Sequence, residues 1–142
     1  MFHYYLPVAL IVTANLIYQN ATKIMPAQIN PFLSLTLAYL IAAICSTAVF
    51  FLYGPSEPIQ SQIRHMNWAP FALGLSIVLL EYGYIALYRS GWNISIGPLV
   101  CNIILSLLLI LVGLFVYRES ITLVKIAGVG LCLAGLLLIT KN

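Results

Sequence analysis

The chain has 142 residues, 63% hydrophobic and 6% charged, against about 45–50% apolar and 25% charged in an ordinary soluble domain. No water-soluble fold of this length has interior enough for that much apolar surface, and too little polar chain remains to build a second domain. The net charge of +3 comes from six scattered basic residues, Lys23, Arg64, Arg89, Arg118, Lys125 and Lys141, and with no basic run to track a phosphate backbone, nucleic acid is not an expected partner.

The composition predicts one integral membrane domain over residues 1–142. Five apolar stretches of about 20 residues stand out, at about 3–22, 31–53, 70–89, 95–117 and 121–140, and each is long enough to cross the hydrocarbon core. All five are expected to be helices, because in hydrocarbon every backbone amide needs a partner within its own segment or a closed barrel. The expected fold class is all-α: a polytopic membrane protein of five transmembrane helices forming a compact bundle.

The first stretch has no basic leader and no small-residue cleavage site, so it reads as a retained span and not a signal peptide. Within it Asn15, Tyr18, Gln19 and Thr22 fall at i, i+3, i+4 and i+7, one stripe of a helix. Such a stripe avoids lipid. It faces another helix, where amides act as interhelical glue, or a wet cavity that binds a solute.

Asn30-Pro31 marks the start of the second span, since proline in the first turn loses no needed donor. After Tyr53 the segment GPSEPIQSQIRHMN holds two prolines and the main cluster of charge, which reads as an aqueous connector.

The third span, from Pro70, contains Glu81, the sole acidic residue inside any of the five stretches. Eleven residues at about 1.5 Å each place it roughly 16 Å deep, near the bilayer midplane. A carboxylate there costs about 2.5–3.5 kcal/mol on insertion scales, so it requires a function or a buried partner. Two readings stay open: a protonated acid hydrogen-bonded across the bundle, or an acid that trades its proton for a cation. Gly74, Val78, Glu81, Tyr84 and Tyr88 share a face, and Tyr82, Tyr84 and Tyr88 offer aromatic rings suited to an organic cation. That matching face favours the cavity reading of the first-span stripe.

In the fourth span Pro98, Asn102 and Ser106 recur every four residues. Pro98 is expected as a helix kink, either a tolerated defect or a flexible joint used in transport. In the last span Gly128, Gly130, Ala134 and Gly135 give a small-residue surface, including Gly130-xxx-Ala134, that suits close helix approach and dimer packing.

Tyr4, Tyr5, Tyr53, Trp68, Tyr88, Trp92 and Tyr117 fall at span ends, where aromatic side chains anchor at the headgroups. Cys45, Cys101 and Cys132 lie singly in apolar stretches without metal-ligand spacing and read as packing residues. With five spans, Arg64, Arg118 and Lys125 lie on one side and Lys23, Arg89 and Lys141 on the other. Orientation follows an excess of cytoplasmic Lys and Arg; an even tally predicts dual topology and an antiparallel homodimer, with a fixed orientation as the alternative.

From about residue 72 to 140 the chain carries ALYRSGW, ISIGPLVCNIILSLLL and LFVYRESITLVKIAGVGLCLAGLLLI. On these pieces, above all the FVYRESIT turn with Glu119 and the glycine-rich AGVGLCLAGLLLI, it resembles the drug/metabolite transporter superfamily, in particular the EamA-like proteins. More distantly it resembles the small multidrug resistance proteins, through ALIVTANLIYQNATK with its mid-span polar residue and a lysine eight residues on. In the latter family the mid-span position is a glutamate shared by substrate and protons; here it is Asn15, which does not titrate, and the proton role shifts to Glu81. The EamA likeness implies half of a ten-helix transporter, and an odd number of spans makes a pair of such halves an inverted repeat.

Together these readings predict a secondary active transporter subunit in the inner (plasma) membrane of a bacterium. It would export a small organic cation or amphipathic metabolite by alternating access in exchange for protons. Its expected pocket comprises Asn15, Tyr18, Gln19, Glu81, Tyr84 and Asn102, with the solute, protons and membrane lipid as partners. No nucleophile–base pair, metal cluster or phosphate loop is legible, so neither an enzyme nor a cofactor is expected. A non-transporting accessory or scaffold subunit, or a flippase for a lipid-linked head group, is the alternative.

Overall fold

A computed structural model describes residues 2–54, 57–119 and 122–140. They form six helices: α1 (Phe2–Ile24), α2 (Pro31–Tyr53), α3 (Ile59–Arg64), α4 (Ala69–Arg89), α5 (Gly97–Phe115) and α6 (Leu123–Thr140). No strand occurs among the described residues. Three helices, α2, α4 and α5, are long and apolar enough to cross a membrane. The expected spans at 3–22 and 121–140 coincide with α1 and α6, although α1 is diluted by its polar residues and position 121 lies outside the described residues. Of the basic residues in the sidedness tally, Lys141 and the side chain of Lys125 also lie outside them.

Local chemistry accounts for the helix starts. Asn30 caps α2 by accepting a hydrogen bond from the Phe32 amide at 2.9 Å, with Pro31 in the first turn, as that dipeptide predicts. Asn67 does the same for α4, its Oδ1 accepting from the Ala69 amide at 3.0 Å. Pro98 stands in the first turn of α5, where its missing N–H has no intrahelical partner to lose. The kink expected at Pro98 is thus a helix start. The proline inside a helix is Pro7, in α1. Helix α3 interrupts the segment expected to be a plain connector: Glu57 accepts from Ser61 Oγ at 3.1 Å and, through its carbonyl, from Gln62 Nε2 at 2.9 Å.

Several polar side chains inside the helices are satisfied by their own backbone. Thr13, Asn20, Thr22 and Thr36 each donate to the carbonyl four residues back, at 2.8 Å. This local bonding lets hydroxyls and amides reside in an apolar helix without a distant partner.

The chain divides into two compact units, Met1–Arg89 and Ser90–Asn142. In the first, α4 packs against both α1 and α2. Its buried residues are Gln19 and Thr22 of α1, Leu35 of α2, and Ile85 and Tyr88 of α4, so the core gathers where α1 and α4 end and α2 begins. Most large apolar side chains point outward instead, Leu10 at 71% and Leu79 at 66% exposure among them. Arg89 ties the α1–α2 turn to the end of α4, its Nη2 donating to the carbonyls of Ile29 at 2.7 Å and Pro26 at 3.3 Å.

The second unit is the α5·α6 pair. It opens on Gly91, whose φ of 93° is left-handed, after which the Asn93 carbonyl accepts from Ile96 and Gly97 to begin α5. At the other end Arg118 takes a φ of 52°, and the Glu119 amide closes onto the Gly113 carbonyl at 2.9 Å.

Candidate functional site

The helix ends that form the core of the first unit also enclose a cavity of about 170 Å³, lined by Tyr18, Ala21, Thr22, Met25, Leu35, Ala38, Glu81 and Ile85. Glu81 is half-buried in it, thirteenth of the 21 residues of α4, and it supplies the cavity's charge. No basic side chain lines this space.

Two tyrosine hydroxyls beside Glu81 lack hydrogen-bond partners. Tyr18 interacts electrostatically with Glu81 across the cavity, and its buried hydroxyl makes no hydrogen bond. The Thr22 hydroxyl donates to the Tyr18 carbonyl at 2.8 Å. Tyr39 of α2 also interacts with the Glu81 carboxyl, yet its buried hydroxyl lies outside good hydrogen-bond geometry to any group. A buried hydroxyl left unpaired costs about 1–3 kcal/mol. Two of them flanking one carboxyl make a polar locus whose bonding capacity is unused.

The surrounding rings form a support for this locus. Tyr84 meets Tyr18 edge-on, with centroids 5.9 Å apart at 80°, and stacks on Tyr88 at 6.4 Å and 29°. Tyr88 is buried and donates to Gln19 Oε1 at 2.7 Å. The Lys23 ammonium sits over the Tyr88 ring, 5.2 Å from its centroid. Tyr82 stacks on Phe32 of α2 at 5.1 Å and 8°.

The structure brings together part of the expected pocket. Glu81 and Tyr18 line the cavity, Tyr84 backs Tyr18, and Gln19 is held by Tyr88 beside it. Asn15 is exposed and does not line the cavity, although it begins the same stripe. By angle Asn15 is central in that stripe; its exposure follows from its place along the axis, since the buried residues of α1, Gln19 and Thr22, lie one and two turns nearer the C-terminal end. Asn102 is exposed on α5, in the second unit. Tyr88 departs from its expected role as a headgroup anchor, because Gln19 gives its hydroxyl a buried partner; Tyr53 and Trp68 remain exposed, at 88% and 76%. The aromatic faces expected around Glu81 are engaged elsewhere: Tyr82 by Phe32 and Tyr88 by Lys23.

Sequence reasoning missed the contribution of α2. Leu35, Ala38 and Tyr39 complete the site, and Tyr39 alone gave a signal, as the one hydroxyl-bearing ring well inside that span. In the second unit the small-residue surface of α6 is unfilled. A methyl group added at Gly128, Gly130 or Gly135 meets nothing within 4 Å, and Ala134 is exposed. Gly128 and Cys132 line a groove of about 350 Å³ against Ile103, Ser106, Leu107 and Ile110 of α5. The cysteines are free and exposed, Cys132 on the groove between α5 and α6.

Comparison with known proteins gives no matching family model, no matching curated protein and no matching solved structure.

Proposed function

We propose that this chain is a subunit of a secondary active transporter of the drug/metabolite transporter kind. It exports a small organic cation or amphipathic metabolite in exchange for protons. The observation that carries this reading is Glu81, a carboxyl in the middle of an apolar helix that borders a cavity instead of a sealed ion pair. An ionised Glu81 attracts a cation, a proton displaces it, and exclusion of one by the other couples the two flows. All five long helices cross the bilayer in this reading, α1 and α6 as well as α2, α4 and α5, and two copies assemble head to tail in a bacterial inner membrane to complete a ten-helix inverted repeat. The open glycine-rich face of α6 and the outward amide of Asn15 support a second helix surface, since small residues and amides are what helices use to associate in lipid.

The test is proton movement in proteoliposomes. With a pH dye trapped inside and an inward-acid gradient, adding organic cations outside should drive proton efflux beyond that of protein-free vesicles. Glu81→Gln should abolish it. Unchanged flux in Glu81→Gln rejects this carboxyl as the coupling site. Absence of flux with every cation, together with a different membrane protein co-purifying, favours an accessory subunit, the reading to which the exposed Asn15 would then belong.

A further inference from the structure

The chemistry around Glu81 narrows the class of cation. A cation can be held by aromatic faces, which suits quaternary ammonium groups, or by hydrogen-bond acceptors, which requires N–H donors. Around this site the rings of Tyr82, Tyr84 and Tyr88 are already engaged. Tyr88 already carries the Lys23 ammonium on its ring, Tyr84 stacks on Tyr88 and makes a T-shaped contact with Tyr18, and Tyr82 lies flat on Phe32. What the cavity offers instead is acceptor capacity: the Glu81 carboxyl and the Tyr18 hydroxyl line it, and the Tyr39 hydroxyl, behind the wall, interacts with that carboxyl without reaching good hydrogen-bond geometry to any group.

We infer that the site selects a small primary ammonium ion, whose three N–H donors match Glu81, Tyr18 and Tyr39. The inference rests on the carrier reading above and adds the substrate's head group to it. The Glu81 carboxylate and the phenol oxygens of Tyr18 and Tyr39 that interact with it are three acceptors for one –NH₃⁺ group, whereas a tetraalkylammonium ion has no proton to offer them. Each such contact is charge-assisted and stronger than a neutral hydrogen bond.

Volume and charge set the remainder of the molecule. The cavity, at about 170 Å³, is smaller than the roughly 300–1,000 Å³ pockets that hold drug-sized ligands. The walls beyond the polar locus are Ala21, Met25, Leu35, Ala38 and Ile85, which suit a short aliphatic tail. No basic side chain lines the cavity, so an amino acid would bring a carboxylate with nothing to pair it. The fitting substrate is therefore a short alkyl monoamine in its cationic form.

Calorimetric titration of the detergent-purified chain tests this with two cations of equal heavy-atom number, n-butylammonium and tetramethylammonium. The expected result for the unaltered protein is n-butylammonium binding tighter by about tenfold or more, the worth of one such hydrogen bond. Tyr18→Phe and Tyr39→Phe, each lacking one hydroxyl, should weaken n-butylammonium by a similar factor and leave tetramethylammonium unchanged. Equal or tighter binding of tetramethylammonium to the unaltered protein overturns the inference without need of any variant, and so does n-butylammonium affinity insensitive to both substitutions; the carrier reading survives either result. Failure of every cation to bind, with Glu81→Gln indistinguishable from the unaltered chain, overturns both.

Discussion

The Tyr88 hydroxyl donates to Gln19 Oε1 at 2.7 Å, a hydrogen bond between two buried side chains 69 residues apart. It fastens α4 to α1 at the level where the Lys23 ammonium covers the Tyr88 ring and Tyr84 stacks on Tyr88. The cavity wall formed by Tyr18 therefore depends on a chain of contacts that ends in this bond: Gln19 holds Tyr88, Tyr88 supports Tyr84, and Tyr84 meets Tyr18 edge-on.

Removing one end of the bond should cost more than removing both. Tyr88→Phe strands the Gln19 carbonyl and Gln19→Leu strands the Tyr88 hydroxyl, each destabilising the fold by about 1–3 kcal/mol. The double variant leaves neither group unpaired. A double-mutant cycle on unfolding in detergent should give a coupling of about 0.6–1.7 kcal/mol, the range for side-chain hydrogen bonds between membrane helices. Strict additivity would mean the two residues act independently.

Substitutions at Glu81 should separate charge from reach. Glu81→Gln keeps the size of the side chain, so the fold persists while cation-driven proton movement disappears. Glu81→Asp keeps the acid but draws it back from the Tyr18 and Tyr39 hydroxyls, and it should retain coupling with weaker cation affinity. Vesicle proton flux and calorimetric affinity, measured on the same preparations, distinguish the two effects. Full activity in Glu81→Gln would contradict the assignment.

The helices were readable because their signals are local. Asn30-Pro31 marks the start of α2, and the span from 31 to 53 matches the helix Pro31–Tyr53, since an Asn cap followed by proline needs no tertiary context. Glu81 was equally visible as a lone acid in an apolar run. What escaped the sequence is set by packing. Helix α2 is apolar all round and shows no preferred face, so nothing in its periodicity said that Leu35, Ala38 and Tyr39 turn toward α4. Asn15 and Gln19 share a stripe and a chemistry, yet Gln19 is buried and Asn15 exposed, because where two helices begin to touch depends on both. Pro98 was misjudged for a related reason: a proline's effect depends on whether the helix has already begun, and α5 starts at Gly97.

Arg89 should govern the turn between α1 and α2. Its guanidinium reaches the carbonyls of Ile29 and Pro26, the second of which also accepts from the Ile29 amide at 3.3 Å. Arg89→Ala should speed amide exchange across residues 25–30, because carbonyls freed from a fixed cation no longer hold the turn to the end of α4. Arg89→Lys should restore part of the protection: an ammonium supplies the charge but not the planar fork of donors. Hydrogen exchange resolved by mass spectrometry reads both, and protection unchanged in Arg89→Ala would show the turn to be held by other contacts.

Two glycines of the second unit should respond to alanine with opposite signs. Gly91 holds a φ of 93° with open space around it, so the objection to a side chain there is conformational. Gly91→Ala should destabilise by about 1–2 kcal/mol, the cost of forcing an L-residue into the left-handed region. Gly113 is helical, and an added methyl would come within 3.1 Å of Glu119 Oε2. That atom is the far end of a flexible, exposed side chain, able to give by a few tenths of an ångström. The gain from replacing a helical glycine, about 0.5–1 kcal/mol, then outweighs the contact, and Gly113→Ala should be neutral or stabilising. A branched residue cannot be accommodated so easily: Gly113→Val should displace the Glu119 carboxylate and lower the unfolding midpoint. Circular dichroism melts of the three variants in one detergent test the ordering. Should Gly113→Ala destabilise as much as Gly91→Ala, the Glu119 side chain is fixed more firmly over Gly113 than its exposure implies, and the end of α5 is held by that carboxylate as well as by the Glu119 amide.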